Sequence, residues 1–371
     1  MRIRNFIKKV IRKIRPYKLP VLTSGNFKKW WITFKKKEKI ENDLKLMVDY
    51  FISQNDFKNS SIYWNALAKQ HISYLVNYGI ENFKQTIESK HYFGEGNYKL
   101  LKPIVDYEIK INLNESELNK KYTFVEDKIS KKYNKFTLIL LNYLISKNFH
   151  KYLNKINEDD YGNPIYITYD EKKHSFSSLN SIIETDTIRK NLNINKLHNI
   201  LEIGAGSGRT CASLLKITND MKYTICDIPP TLYIAQYNLQ KTFPGKKIFK
   251  FRSFSNYSNI KDEFEKADIK FLTPDQIKYI PNKIFDLSIA IDCLHEMNKN
   301  QVENYFDEFD RLSKNIFFKC QNTQWANFEN SKYTIDNYPI KKNWKKILHE
   351  KCFIPNEYFD ADSIEAVTLQ F

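Results

Sequence analysis

Hydrophobic and polar positions change period about halfway along the chain. Between Lys39 and Phe149 apolar residues recur mostly at helical spacing with little Gly or Pro, as in "IENDLKLMVDYFI" and "SSIYWNALAKQHISYLVNYGIENFKQTI", and this spacing predicts amphipathic helices. The second run opens on Ser60 or Ser61, either of which suits an N-cap, and stops at Gly79. "NLNESELNKK" reads as a loop, and residues 161–181, "YGNPIYITYDEKKHSFSSLNS", as a connector rich in turn formers. Short apolar runs then alternate with helix-length stretches: "HNILEI", "KYTICD", "ADIKFLT", "FDLSIAID" and "NIFFKC". That alternation predicts an α/β fold, a Rossmann-like doubly wound, mostly parallel sheet with right-handed crossovers, preceded by a helical region. The boundaries read from the pattern are a basic amphipathic tail (1–38), a helical acceptor-binding or lid region (39–160) and the Rossmann-like domain (161–371).

Charge changes the picture only at one end. The formal net charge is +16 over 371 residues, yet the first 40 residues hold fourteen Lys/Arg against one acid, Glu38, while the other 331 hold 45 basic and 42 acidic groups. A basic tail on a nearly neutral body fits surface attachment better than a body that wraps nucleic acid. "MRIRNFIKKVIRKIRPYK" places Ile3, Phe6, Ile7, Val10, Ile11 and Ile14 at helical spacing among its cations. Two readings stay open for residues 1–20: a helix lying on an anionic membrane, or a stripe docked on the protein's own body. "NFKKWWITFKKKEK" repeats the basic-aromatic theme and extends the same surface. The segment lacks the apolar core and cleavage site of a secretory signal, and the longest apolar run, Leu138 to Ile145, is broken by Asn142 and is too short to span a bilayer. The five cysteines form no CxxC pair; they fit small buried hydrophobes in a reducing cytoplasm, and neither zinc nor another metal is expected.

The chemistry concentrates in "NILEIGAGSGRTCASLL", where E-x-G-x-G-x-G runs from Glu202 to Gly208 between a strand and a helix. Glycines at a strand's carboxyl end allow positive φ and close approach of a ligand to the backbone. A dinucleotide fingerprint would need a small residue where Arg209 stands, so the loop fits an adenosine-type ligand lacking a pyrophosphate better than NAD. The next strand ends at Asp227, a carboxylate placed to accept both ribose hydroxyls, and Pro229 and Pro230 suit the start of the following helix.

Strand, glycine loop, helix, strand and terminal Asp in that order resemble the class I S-adenosylmethionine-dependent methyltransferases. More narrowly, "LEIGAGSGR", "DIPPTLYIAQYNLQKTFPGKK", "FDLSIAIDCLHEM", "GNPIYI", "SLNSIIE" and "YPIKKNW" resemble the sugar O-methyltransferase family of bacterial surface-polysaccharide clusters, over roughly residues 60–365. The resemblance implies S-adenosyl-L-methionine as cofactor, with Glu202, Gly204, Gly206 and Gly208 around its methionine and ribose, Asp227 on the ribose hydroxyls and Ile228 beside the adenine. Thr273 and Gln276 are candidates for the adenine edge; the competing reading makes Gln276 a solvated helix-start residue.

The fourth strand delivers "DCLHEM". A sugar hydroxyl needs a base, and His295 suits by intrinsic pKa, with Glu296 the second candidate and Asp292 an orienting carboxylate. The bland alternative is that His295 and Glu296 merely open the helix that follows. An acceptor pocket would come from the helical region: Trp64 and His71, seven apart on one face, with Lys84 and Tyr92; packing is the competing role for the aromatic residues, and for Trp344. "DIPP" is not the Asp-Pro-Pro-aromatic loop of amino-directed nucleic-acid methyltransferases, which belongs after the fourth strand. The reading that follows is transfer of a methyl group to a sugar hydroxyl, nucleotide-linked, lipid-linked or in a surface glycan, at the cytoplasmic face of the membrane. The alternatives are an RNA methyltransferase or a non-catalytic cofactor-binding scaffold.

Overall fold

The structure, a computed structural model, describes residues 22–89, 127–218, 220–321, 337–351 and 364–370. Three helices open it: α1 (Ser24–Lys37), α2 (Asn42–Ser53) and α3 (Ile62–Tyr78). Ser61 caps α3, its side chain accepting the N–H of Trp64, and Gly79 stops it at φ +79°, as the turn residues predict. A π-helical turn, Lys84–Glu88, follows. Next come α4 (Asp127–Ser146), the short α5 (His150–Leu153), a hairpin of β1 (Ile167–Tyr169) and β2 (Lys172–His174), and α6 (Phe176–Asn191). The α/β part then alternates β3 (Asn199–Ile203), α7 (Arg209–Ile217), β4 (Lys222–Cys226), α8 (Thr231–Thr242), β5 (Ile248–Phe249), α9 (Lys261–Lys266), β6 (Ile269–Leu272), β7 (Leu287–Ile291), α10 (Lys299–Leu312), β8 (Asn315–Gln321), β9 (Lys345–Lys351) and β10 (Ile364–Gln370). The hairpin lies inside the stretch read as a connector, and β5, β9 and β10 extend the sheet beyond the five runs the sequence marks as strands.

The large sheet has the order β5-β6-β4-β3-β7-β8-β10-β9. Neighbouring strands are parallel except that β10 runs antiparallel to both β8 and β9. This is the expected Rossmann-like doubly wound α/β sheet with a helical N-terminal region. Strand order reverses between β3 and β7, and such a switch point opens a crevice at the strands' carboxyl ends.

The strands read as continuous apolar runs because both faces are covered. Period-2 alternation sorts their side chains into two cores. Ile200, Tyr223, Ile225, Phe271, Ile289 and Phe317 join one buried cluster; Leu201, Ile203, Cys226, Leu272, Ala290 and Phe318 join the other with Phe306, Phe309 and Trp344. The first cluster continues without a break into Phe27 and Trp31 of α1, Leu44, Met47 and Phe51 of α2, and Ile72 and Leu75 of α3. These helices are therefore a layer on the sheet's own core. Leu138, Leu141, Leu144, Leu179 and Ile182 hold α4 against α6 in a third cluster. Trp344 has the packing role, stacked on Phe306 at 5.9 Å and 13°. Cys211, Cys226, Cys293 and Cys320 are free and buried. Residues 1–20, Tyr92 and Cys352 lie outside the described residues. Among the described residues no helix is long and apolar enough to cross a membrane.

Trp31 is fully buried and its indole donates to Asp49 Oδ1 at 2.7 Å. Trp31→Ala should therefore destabilise the whole protein by about 3–5 kcal/mol in urea unfolding, the usual cost of emptying a large aromatic site. A loss below about 1 kcal/mol would mean that α1 adds little to the common core.

Candidate ligand and active site

The glycine loop leaves β3 at the switch point. Gly204, Gly206 and Gly208 all have positive φ, +67°, +62° and +81°, where a side chain is strained. They face different things. A Cβ on Gly204 would stand 2.6 Å from the Cβ of Cys293, so this position lets the loop press against the turn after β7; a Cβ on Gly206 would meet nothing within 4 Å. Gly206 thus presents bare backbone to open space, the property a closely bound ligand requires.

Asp227, at the end of the adjacent strand β4, braces that loop. Its Oδ2 accepts the Gly206 N–H at 2.9 Å and its Oδ1 the Ile228 N–H at 2.7 Å. Burial raises its carboxyl to about 7, the two backbone bonds offsetting only part of the effect. Ile228 stands next to it, half-buried. Glu202 lies within β3, 2% exposed, and accepts the Tyr223 hydroxyl at 2.8 Å; burial raises its carboxyl to about 8. Its polar atoms work beneath the loop.

The turn after β7 brings the other expected residues to the same crevice. Asp292 sits at φ +54°, a left-handed position that aspartate tolerates better than most side chains. Its Oδ2 accepts Lys319 Nζ at 3.0 Å, while Oδ1 is buried with no hydrogen-bond partner among the described residues. His295 and Glu296 form a short 3₁₀ turn, Leu294–Glu296, whereas α10 is capped separately by Asn298 in a capping box with Gln301. Capping therefore does not account for either residue. Burial lowers His295 to about 4, with Asp292 and Lys319 acting in opposite senses, so the imidazole is neutral at pH 7. The same burial, with Asp292 nearby, raises the Glu296 carboxyl well above the usual range, and the Trp64 indole hydrogen-bonds it. His295 Nε2 and Glu296 Oε1 are 3.9 Å apart, beyond hydrogen-bond length.

The helical layer closes over this edge. Ser61 Oγ donates to the Glu296 carbonyl at 2.9 Å, and Tyr50 donates to Asp275 Oδ2 at 2.7 Å. Trp64 and His71 meet edge-on, ring centroids 6.5 Å apart, which realises the shared face that their spacing implies. Lys84 is engaged elsewhere, with Glu158 at 2.5 Å. Its π-helical turn nonetheless reaches the crevice, since Glu88 hydrogen-bonds Ser207 of the glycine loop. Thr273 and Gln276 are fully buried after β6. Gln276 is the third residue of a 3₁₀ turn, Pro274–Tyr279, capped by Thr273; it accepts the Thr273 N–H at 3.0 Å and donates to the Arg252 carbonyl at 2.8 Å, so it is a helix-start residue but not a solvated one.

Sequence reasoning missed the hub of the site. Arg209, the first residue of α7, makes a fork onto Glu184 of α6, Nη1 to Oε2 at 2.5 Å and Nη2 to Oε1 at 3.0 Å. Lys319 of β8 donates to the same carboxylate at 2.9 Å and on to Asp292. Burial alone would raise Glu184; the two cations outweigh it and hold the carboxyl below its usual range. The available signal was Lys319 itself, a lysine inside the apolar run "NIFFKC", because a lysine buried in a strand demands a partner. A separate pocket of about 490 Å³, lined by Lys151, Tyr152, Arg189, His198 and Met221, lies at the amino-terminal ends of β3 and β4, away from the switch point.

No family model matches the chain and no curated protein matches it. Solved structures do. The methyltransferase domain of bacterial CtHen1 is 13% identical, with 51% of this chain and 97% of that one covered at a TM-score of 0.35. WbdD is 10% identical over 51% of this chain and 40% of its own, at 0.36. A SAM-dependent methyltransferase from Aquifex aeolicus is 11% identical over 50% and 88%, at 0.31. Likeness at this level does not reach substrate or chemistry.

Glu184→Ala would leave Arg209 and Lys319 buried without the carboxylate they share, with Asp292 as the remaining acid beside them. Loss of one member of such a pair costs about 3–5 kcal/mol, and denaturant unfolding of the variant should show a drop of that size. A change under about 1 kcal/mol would assign the hub to solvent-screened pairing instead.

Proposed function

We propose that the chain is an S-adenosylmethionine-dependent O-methyltransferase that methylates a sugar hydroxyl in the synthesis of a bacterial surface glycan. The observation that carries this reading is the bare backbone of Gly206 facing open space beside Asp227, at the switch point of a doubly wound sheet. The buried Oδ1 of Asp292, without a partner among the described residues, adds an acceptor for a ligand's donor group on the opposite wall. Under this reading Gly204, Gly206, Gly208 and Asp227 hold the cofactor's ribose and methionine portions, with Ile228 and the Thr273 to Gln276 turn toward its adenine. When bound, S-adenosylmethionine supplies an electrophilic methyl group, the part of the chemistry that no side chain can provide.

The chain's own residues then divide the remaining work. His295, neutral at pH 7, takes the proton that the acceptor hydroxyl loses. Glu296, held protonated by burial, serves as a hydrogen-bonding group anchored to Trp64 rather than as a base. Asp292, fixed by Lys319, keeps negative charge near the imidazolium as it forms. Trp64 and His71 offer an aromatic wall suited to a sugar face. The cations at the crevice, Arg209 and Lys319, are matched by the acids Glu184 and Asp292. That balance favours a neutral sugar over the phosphates of RNA.

Two experiments test this. S-adenosylhomocysteine, but not NAD, should raise the melting temperature, with about 2.7 kcal/mol of stabilisation at 100 times its Kd. Because Asp227 must be ionised to accept hydroxyls and its carboxyl lies at about 7, affinity should rise with pH and level off above 7, weakening roughly tenfold per unit below it. Asp227→Asn should bind weakly and flatten that profile; binding independent of pH in the unchanged protein would remove Asp227 from the cofactor site.

Methyl transfer from labelled cofactor to nucleotide-linked sugars, lipid-linked saccharides, free glycans and mixed RNA tests the acceptor. His295→Ala should slow the productive reaction about 10²–10⁴-fold. Glu296→Gln, which keeps a neutral hydrogen-bonding group, should stay within a few-fold of the unchanged enzyme. An intact rate in His295→Ala would overturn the assignment of the base, and transfer to RNA alone would overturn the acceptor.

A further inference from the structure

Helix α1 carries two faces of opposite character. Phe27 and Trp31 are buried in the shared core, Trp30 and Phe34 are half-buried beside them, and Lys35 pairs with Asp49 at 2.6 Å. The outward arc holds Lys28, Lys29, Ile32, Thr33 and Lys36, all exposed. Residues 28, 32 and 36 lie one above another at i, i+4 and i+8, with 29 and 33 beside them. The helix contains five lysines and no acid. Ile32 is 40% exposed in the middle of these cations. From α3, exposed Lys69 places its Nζ 5.6 Å from the ring centroid of Trp30, adding a cation at the edge of the same face.

Helix stability explains only part of this arrangement. Lys36 and Lys37 in the last turn favour the negative end of the helix dipole, but Lys28 and Lys29 stand in the second turn, where the dipole offers a cation nothing. Nor does a packed partner explain them, since their side chains point to solvent. A row of cations around an exposed branched apolar side chain has the complementary chemistry of an anionic lipid surface, whose headgroups attract the lysines while the apolar centre enters the acyl boundary. A phosphate backbone would use the lysines and leave Ile32 without a role. The chain leading into α1 strengthens the match: residues 1–20 contain eight Lys/Arg and no acid, and the Leu22 N–H, bonded to the Ile62 carbonyl, fixes the point where they join the body.

We propose that the outward face of α1, Lys28, Lys29, Ile32 and Lys36 with Lys69 at its edge, docks the protein on an anionic bilayer. This is independent of the methyltransferase reading, and its test needs neither cofactor nor acceptor.

The full chain should co-sediment with phosphatidylcholine vesicles that contain phosphatidylglycerol and not with phosphatidylcholine alone. Each lysine near such a surface contributes about fivefold to affinity, so the triple substitution Lys28→Gln, Lys29→Gln, Lys36→Gln should weaken binding on the order of 100-fold. These positions are exposed, so thermal melts should show the fold intact. Ile32→Ser, which removes the exposed apolar side chain without adding charge, should also weaken vesicle binding while leaving any binding of mixed RNA unchanged. Unaltered vesicle affinity in the triple variant overturns the proposal. So does RNA binding as tight as vesicle binding at moderate salt, together with an Ile32→Ser variant that loses neither, because the face would then be a phosphate-binding surface.

Discussion

The site depends on one buried carboxylate. Glu184 accepts a two-pronged contact from Arg209 and a further bond from Lys319, and these residues come from α6, from the start of α7 and from β8. Neither cation reaches the interior at tolerable cost without it. The start of α7 is also the end of the glycine loop, and Lys319 is the group that holds Asp292. Glu184 therefore sets the distance between the two walls of the crevice, the loop after β3 and the turn after β7. Charge assistance makes the Arg209 contact directional as well as strong.

Around that hub the carboxyls fall into two groups. Glu184 and Glu158 lie below their usual range because cations outweigh burial. Glu202, Asp227 and Glu296 lie above it because burial outweighs the hydrogen bonds they accept and, for Glu202, the attraction of Arg209. His295 is pushed the other way by the same desolvation. Neighbouring titratable groups driven apart by their surroundings are a mark of functional sites. Here the division follows from the direct contacts: Glu184 and Glu158 bond Arg209, Lys319 or Lys84, while Glu202, Asp227 and Glu296 are met by a hydroxyl, backbone N–H groups and an indole.

Much of the fold was legible because it rests on local patterns. The five apolar runs are all strands, Ser61 and Gly79 bound α3, and Pro230 caps α8. What escaped depends on partners far along the chain. "KKILHEK" becomes β9 by pairing with β10 at the sheet's edge, and its polar composition carries no strand signal of its own. The hairpin of β1 and β2 has only three residues per strand, too few to establish a period. At the site, the glycines and Asp227 announce themselves by position after a strand. Glu184 does not, since a glutamate in an ordinary helix is usually solvated; only the buried Lys319 hinted that an acid must face it.

The position of the helical layer ties these parts together. Because α1, α2 and α3 share a continuous core with one face of the sheet, their place over the carboxyl ends of the strands is fixed by packing. Ser61 touches Glu296, and Tyr50 touches Asp275. The crevice and the lysine face of α1 are consequently built on one rigid layer, joined through Trp31 and Asp49. A bilayer that engaged α1 would hold the whole layer in a set orientation, with the carboxyl-terminal edge of the sheet at a fixed height above the lipid. Under the proposed function, an acceptor confined to that surface would then meet the site by two-dimensional search, and the affinity required of the proposed wall of Trp64 and His71 would fall by the gain in effective concentration.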